Sequence, residues 1–379
     1  MTQLIRAVID SHALHHNLSV IRSHANGARV IAVVKANAYG HGLASTALAL
    51  GEADALAVAR LEGALALRAA GIGARIVLLE GVFSPAELDE AVYERLDLVV
   101  HDASQIELLE RFPEAARLPL WLKIDTGMNR LGIATSDVEC FARQLAKCKH
   151  LRLGGVMTHF ASSEAFAPAP QGQQTPDQEN NFHAALERLR KLGIDTGIVH
   201  MANSAAIAAR PESWGDMVRP GVILYGYHPG YDPADQRAEA ERRLPLKPVM
   251  SLRTRIISLR RVPAGTGVGY GAKFVAPRPS VIAVLAAGYG DGIHRSLSNR
   301  RGCVLVRGKL APIVGIVSMD VTMIDVTEVD GVAVGEVVTI YGTDGEHLHP
   351  ANAVARAIGT VTSDLLCAVT ARVPRVYVV

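Results

Sequence analysis

The sequence predicts an α/β protein: a (β/α)8 barrel of the TIM type over residues 1–245, followed by a mainly antiparallel β domain over residues 246–379. Three observations carry this expectation. Eight short apolar runs alternate with amphipathic segments between about residues 29 and 225, a rhythm that implies parallel strands joined by right-handed crossovers. No glycine fingerprint of the GxGxxG kind opens the first unit, which favours a closed barrel over an open doubly wound sheet of similar rhythm. After about Pro245 the helical period gives way to β-rich runs divided by Gly and Pro, the pattern of antiparallel strands.

The eight runs begin near Val30, Ala55, Ile76, Leu98, Leu120, Leu153, Ile198 and Met217. Arg29 to Val34 is mostly β-branched and apolar, as a strand buried on both faces should be. A still earlier first strand can join the β domain instead of the barrel. Leu61 to Ala70 and Ala103 to Arg111 have helical patterning, and Ser84-Pro85-Ala86-Glu87 is a helix start. There Ser84 caps, Pro85 takes the first helical position and Glu87 reaches back to the cap. Ala165 to Asp177, with three Pro and four Gln or Gly, reads as a flexible excursion between barrel elements. In the β domain the runs are Val249 to Val262, Val281 to Ala287, Val304 to Val306, Ile313 to Val317, Val321 to Val326 and Val337 to Tyr341.

With 39 basic against 37 acidic side chains, the net charge of +2 gives no argument for a nucleic-acid or membrane-surface partner. The expected partner is a small molecule. Although 49% of the residues are hydrophobic, no stretch of about 20 residues is free of charges or turn formers, so no membrane span is expected. The start, Met1-Thr2-Gln3-Leu4-Ile5-Arg6, lacks an export signal. Cys140, Cys148, Cys303 and Cys367 are scattered without metal-ligand spacing, which suits reduced thiols in the cytoplasm.

Lys35 ends an apolar strand and opens the turn Lys35-Ala36-Asn37-Ala38-Tyr39-Gly40-His41-Gly42. Partial desolvation there lowers an ammonium's pKa and frees a neutral amine for Schiff-base chemistry, although a lysine snorkelling from a strand end fits as well. Tyr39 could reach an anion near that lysine, or simply pack. Asn203 and Ser204 stand at a strand-to-helix boundary, where free backbone N–H groups bind anions or a plain N-cap forms. Arg219-Pro220-Gly221 follows the last barrel strand, where barrels often hold phosphate on backbone amides. Lys123, Asp125 and Arg130 surround another strand end, with Arg130 able to grip a carboxylate in bidentate fashion and a surface ion pair as the simpler account. His159 ends a further strand. All these residues fall at the C-terminal end of the expected barrel, so they converge. Gly265 to Gly271 has the wrong spacing for a nucleotide loop and reads as a hairpin connection. Gly288 to Gly292 and Ser318-Met319-Asp320 carry little signal by themselves.

Together these motifs resemble the alanine racemases, pyridoxal phosphate-dependent enzymes of fold type III, in order and over nearly the whole chain. The resemblance implies that Lys35 is the lysine bonded to pyridoxal 5'-phosphate. It implies that Tyr39, Ser204 and the Gly221 and Val222 backbone hold the phosphate, that Asn203 is among the cofactor-binding residues, and that Arg219 faces the pyridine nitrogen with His159 hydrogen-bonded to it. An arginine there leaves the ring nitrogen largely unprotonated and the cofactor a weaker electron sink. Racemisation needs a base on each face of a planar carbanion. The resemblance gives one face to Lys35 and the other to Tyr270 of a second subunit, in a homodimer with shared sites. A phenol, with an ordinary pKa of about 10, then needs positive neighbours to act as a base. Arg130 and the Met319 N–H would orient the substrate carboxylate, a carbamylated Lys123 would position Arg130, and Tyr289, Arg295 and Asp320 would line the entrance. The implied activity is interconversion of L- and D-alanine for cell-wall precursors.

Two positions depart from the family. Ser363 stands where a phosphate-touching tyrosine is usual, and Ile316 where an entrance arginine is usual, so serine or larger amino acids become candidate substrates. A decarboxylase of the same fold type shares the lysine but lacks the Tyr270 arrangement. A noncatalytic carrier of the cofactor resembles only the first half of the chain.

Overall fold

The computed structural model describes residues 3–164, 174–230 and 234–378. Eight parallel strands run side by side in the order Met217–Val218, Arg29–Val33, Ala55–Val58, Ile76–Leu78, Asp97–Val100, Leu120–Asp125, Leu153–Met157 and Ile198–His200. The two outermost meet through the Asp216 N–H, which donates to Val199 O at 2.8 Å, so the sheet nearly closes into a barrel. All eight predicted runs are strands of this sheet. Alternation sorts their side chains: Ile31 and Val33 point inward with Ala57, Val77, Val99, Trp121 and Met157, whereas Val30 and Ala32 join the layer under the helices.

The second sheet has nine strands, and the pairing of Val337–Asp344 with Met250–Val262 closes six of them into a ring. The N-terminal strand, Ile5–Asp10, belongs to this sheet, antiparallel to Met250–Val262 and parallel to Arg375–Val378. The barrel therefore begins at Arg29. Gly267–Val268 and Phe274–Val275 form a separate hairpin, the connection expected of the Gly-rich run.

Two local expectations are corrected. Ser84 does cap the helix Pro85–Tyr93, accepting from the Glu87 N–H at 3.2 Å, but the Glu87 carboxylate accepts from the Phe83 N–H at 2.7 Å, one residue before the cap. The excursion over 165–177 ends earlier than its composition suggests. Residues 165–173 lie outside the described part, but Gln174–Lys191 is a helix. Its start is fixed by Thr175, whose hydroxyl donates to Ser162 O, and by the buried Gln178 and Phe182. Pro176 falls in the first turn, where its missing N–H is harmless. Among the described residues no helix is long and apolar enough to cross a membrane.

Candidate active site

Beyond the strand Arg29–Val33 the backbone turns left-handed. Ala36, Asn37, Ala38 and Tyr39 have φ of 53°, 55°, 54° and 51°, a conformation that costs a non-glycine residue roughly 1–2 kcal/mol. Tertiary contacts hold it. The Leu43 N–H donates to Asn37 Oδ1 at 2.8 Å, and Arg375 Nε donates to Gly40 O at 3.0 Å. Gly40 itself is left-handed, and a Cβ there would run into Leu366 O, so glycine is required. The turn gives Lys35 and Tyr39 to one cavity at the C-terminal mouth of the barrel.

That cavity, about 500 Å³, is lined by Lys35, Tyr39, Lys123, Arg130, His159, Asn203, Ser204, Arg219, Gly221, Val222 and Ser363. It thus gathers residues that sequence reasoning placed on separate strand ends. Its phosphate-sized corner is formed by Tyr39, Ser204 and Gly221. A Cβ on Gly221 would lie 2.6 Å from the Tyr39 hydroxyl and 3.6 Å from Ser204 Oγ. The Gly221 N–H donates to Ser204 Oγ at 2.8 Å, which leaves the serine's own hydrogen to donate onward. Burial pushes the Tyr39 phenol up to about 12, so it stays a neutral donor. Asn203 has the capping role: its Oδ1 accepts from the Ala205 and Ala206 N–H groups, both at 3.1 Å, and from the Ser163 hydroxyl at 2.8 Å.

Arg219, which also lines the cavity, is buried, and among the described residues no carboxylate pairs with it. It donates to Thr158 O at 2.6 Å, Met201 O at 3.0 Å, His159 Nδ1 at 3.4 Å and His200 Nδ1 at 2.5 Å. Burial pulls its pKa down to about 9, still cationic at neutral pH. Both histidines are driven well below their ordinary value, first by burial and then by Arg219. Each is therefore neutral and accepts from the guanidinium at Nδ1, which puts the His159 proton on Nε2. His200 escaped the sequence reading, although it ends the strand Ile198–His200 and its position was a usable signal.

The cavity is dominated by cations. Burial lowers the Lys35 pKa, and Arg130 lowers it further against the opposing pull of Glu80. Burial, followed by Arg219, Arg130 and Lys35, brings Lys123 down to about 8. Asp125 is engaged by backbone and not by the Arg130 guanidinium: its carboxylate accepts from the Gly127, Asn129 and Arg130 N–H groups at 3.0, 3.0 and 3.2 Å, shaping the loop that carries Arg130. Glu80 and Glu164 also line the cavity and were missed. Burial raises the Glu164 pKa. A cavity with a depressed lysine, a hydroxyl-and-amide corner and surplus positive charge suits an aldehyde cofactor bearing a phosphate, together with an anionic substrate.

Tyr270 is absent from this cavity's lining. With Tyr289, Arg295, Ile316 and Met319 it lines a separate groove on the β domain, where Tyr270 is 70% and Met319 53% exposed. Asp320 is held nearby by Arg372 Nη2 at 2.7 Å.

The family profile described as alanine racemase, N-terminal domain, matches residues 9–229, and that for the C-terminal domain matches residues 249–377. The alanine racemase of Aeromonas hydrophila is 42% identical over 373 residues, 98% of this chain and 99% of the relative. The catabolic alanine racemase of Pseudomonas putida is 42% identical over 375 residues, 98% of each chain. Among solved structures, alanine racemase from Streptomyces lavendulae aligns with a TM-score of 0.90 at 33% identity, covering 100% of this chain and 98% of the other. The biosynthetic alanine racemase of Pseudomonas aeruginosa aligns with a TM-score of 0.86 at 38% identity, covering both chains completely.

Proposed function

The chain belongs to the alanine racemase family and interconverts L- and D-alanine, and from that premise we propose that it uses pyridoxal 5'-phosphate, as a cytoplasmic homodimer with shared active sites. Lys35 anchors the cofactor through Nζ. Tyr39, Ser204 and the Gly221 and Val222 amides hold its phosphate, and Arg219 faces its ring nitrogen. When bound, the cofactor supplies an electron sink for negative charge at the substrate's α-carbon.

The protein's own groups do the rest. Arg130 fixes the substrate carboxylate with the Met319 N–H of a second copy. The neutral fraction of Lys123 at physiological pH adds through Nζ to carbon dioxide and gives up one proton to water, and the resulting carbamate holds Arg130 in place. Lys35 would handle the α-proton on one face, and the second copy's Tyr270 would handle it on the other. The His159 Nε2–H, backed by Arg219, stabilises the Tyr270 phenolate. Tyr289, Arg295 and Asp320 of that copy border the entrance.

The observation that carries this reading is the convergence of Lys35, Tyr39, Ser204, Arg219 and Gly221 on one cavity. Its test is α-proton exchange and chiral product analysis with L-alanine in deuterium oxide. Label appearing in both enantiomers is expected. Carbon dioxide release would mean a decarboxylase, and no exchange a carrier.

We further propose that serine and larger amino acids turn over beside alanine. Ser363, Val222, Glu164 and Pro229 line both the main cavity and a neighbouring one of about 270 Å³, and at Ser363 the side chain between the two is small.

A further inference from the structure

Tyr39 points into the phosphate corner from a turn of four left-handed residues, Ala-Asn-Ala-Tyr, of which only Asn37 is a type that visits this conformation with any ease. A device must impose it. His41, fully buried, has Nδ1 2.9 Å from Tyr39 O and 3.0 Å from Ala38 O. Both neighbours are acceptors, so Nδ1 carries the proton and shares it between the last two carbonyls of the left-handed stretch. Its Nε2 is buried with no hydrogen-bond partner among the described residues. Such an orphan is unfavourable, and an apolar ring would avoid it. The Nδ1–H is therefore the feature that justifies a histidine here.

Tyr225 completes the grip. Its buried ring packs against the His41 imidazole at 4.5 Å and against the Tyr39 ring at 4.8 Å. Its hydroxyl donates to Val33 O at 3.0 Å, at the strand end that leads to Lys35. From the far side, Tyr377 donates to His41 O at 2.8 Å. Both ends of the turn are thus tied to His41 and Tyr225, neither of which lines the cavity.

We infer that His41 and Tyr225 are positioning residues that hold the Lys35–Tyr39 turn left-handed and so aim the Tyr39 hydroxyl at the cofactor's phosphate. This rests on the cofactor reading above. His41→Phe keeps a ring for stacking and removes the donor, whereas His41→Asn keeps a donor near the Nδ1 position.

The test is titration of the cofactor-free protein, followed by absorbance, with pyridoxal phosphate and with pyridoxal, which lacks the phosphate. His41→Phe should weaken pyridoxal phosphate about tenfold while leaving pyridoxal within about twofold, and His41→Asn should recover most of the loss. In a Tyr39→Phe background, His41→Phe should add less than about twofold, because both changes remove one interaction. Tyr225→Phe, which keeps the ring, should follow the same cycle and serves if His41→Phe does not fold. Equal losses for both ligands, an undiminished effect in the Tyr39→Phe background, or failure of His41→Asn to recover binding would overturn the inference. A wild-type protein that binds neither ligand would sink the cofactor reading instead.

Discussion

The cavity at the barrel mouth and the groove on the β domain are built in opposite ways. In the first, Lys123 and Arg219 are buried, every acceptor around Arg219 is fixed by strand ends, and pKa values are displaced by burial and by neighbouring cations. In the second, Tyr270, Tyr289 and Met319 stand exposed on short turns. Buried charge is tolerated where geometry is rigid and each donor has a partner. Exposed aromatic and thioether side chains gathered in one groove mark a surface that something covers. The first region is therefore equipped to bind, and in the proposed reading the second finishes the reaction when another copy brings it over a bound substrate.

Substitutions on either side sharpen this contrast. Lys35→Ala should remove the visible absorption band of lysine-bound pyridoxal phosphate and lower racemisation on the order of 10³-fold or more, measured by chiral assay. Tyr270→Phe should keep the band and lower racemisation on the order of 10²–10⁴-fold. It should still exchange the α-proton of one enantiomer, since Lys35 continues to serve its own face. A Tyr270→Phe protein that has lost the band would place Tyr270 in the binding region and erase the division.

A smaller effect belongs to the cation cluster. Lys123 has a folded pKa of about 8 against about 10.4 when unfolded. Between those values the unfolded chain binds more protons, so stability rises with pH through that window, and below it the folded state carries the cost of a buried cation. Lys123→Met should therefore stabilise the carbonate-free, cofactor-free protein at pH 7 by about 1–3 kcal/mol and flatten the rise, as read by urea unfolding. Added bicarbonate should stabilise the wild type and leave Lys123→Met unchanged if the amine is carbamylated.

Smallest is Ser363→Tyr. Filling the space between the two cavities should raise the alanine-over-serine ratio of kcat/KM about fivefold, near 1 kcal/mol. An unchanged ratio would remove Ser363 as the determinant of substrate range.

The barrel was legible because runs such as Arg29 to Val34 are apolar on both faces and because crossover handedness leaves few topologies. The residues gathered at the cavity were legible because barrels present chemistry at the C-terminal ends of strands, where Lys35, Lys123, His159 and Arg219 all fall, and because the motifs around them resemble one family. The same rule would have flagged His200. Other features have no local signature. The left-handed turn depends on His41, Tyr225 and Arg375, the last of these 335 residues from the Gly40 carbonyl it binds. Gln174 to Asp177 looked like loop because its helix is stabilised by burial of Gln178 and Phe182 further on. Glu164 follows two serines in a stretch with no periodicity, and only the fold brings it to the cavity.

The claim that one chain supplies the binding half and a second the opposing base is tested most directly by mixing the inactive Lys35→Ala and Tyr270→Phe proteins in equal amounts and allowing subunits to exchange. Half the dimers are then mixed, and each has one site with both Lys35 and Tyr270 intact, so activity should return to about a quarter of the wild-type level. A mixture as inactive as its parents, with subunit exchange demonstrated, would mean that both bases belong to one chain and would contradict the account.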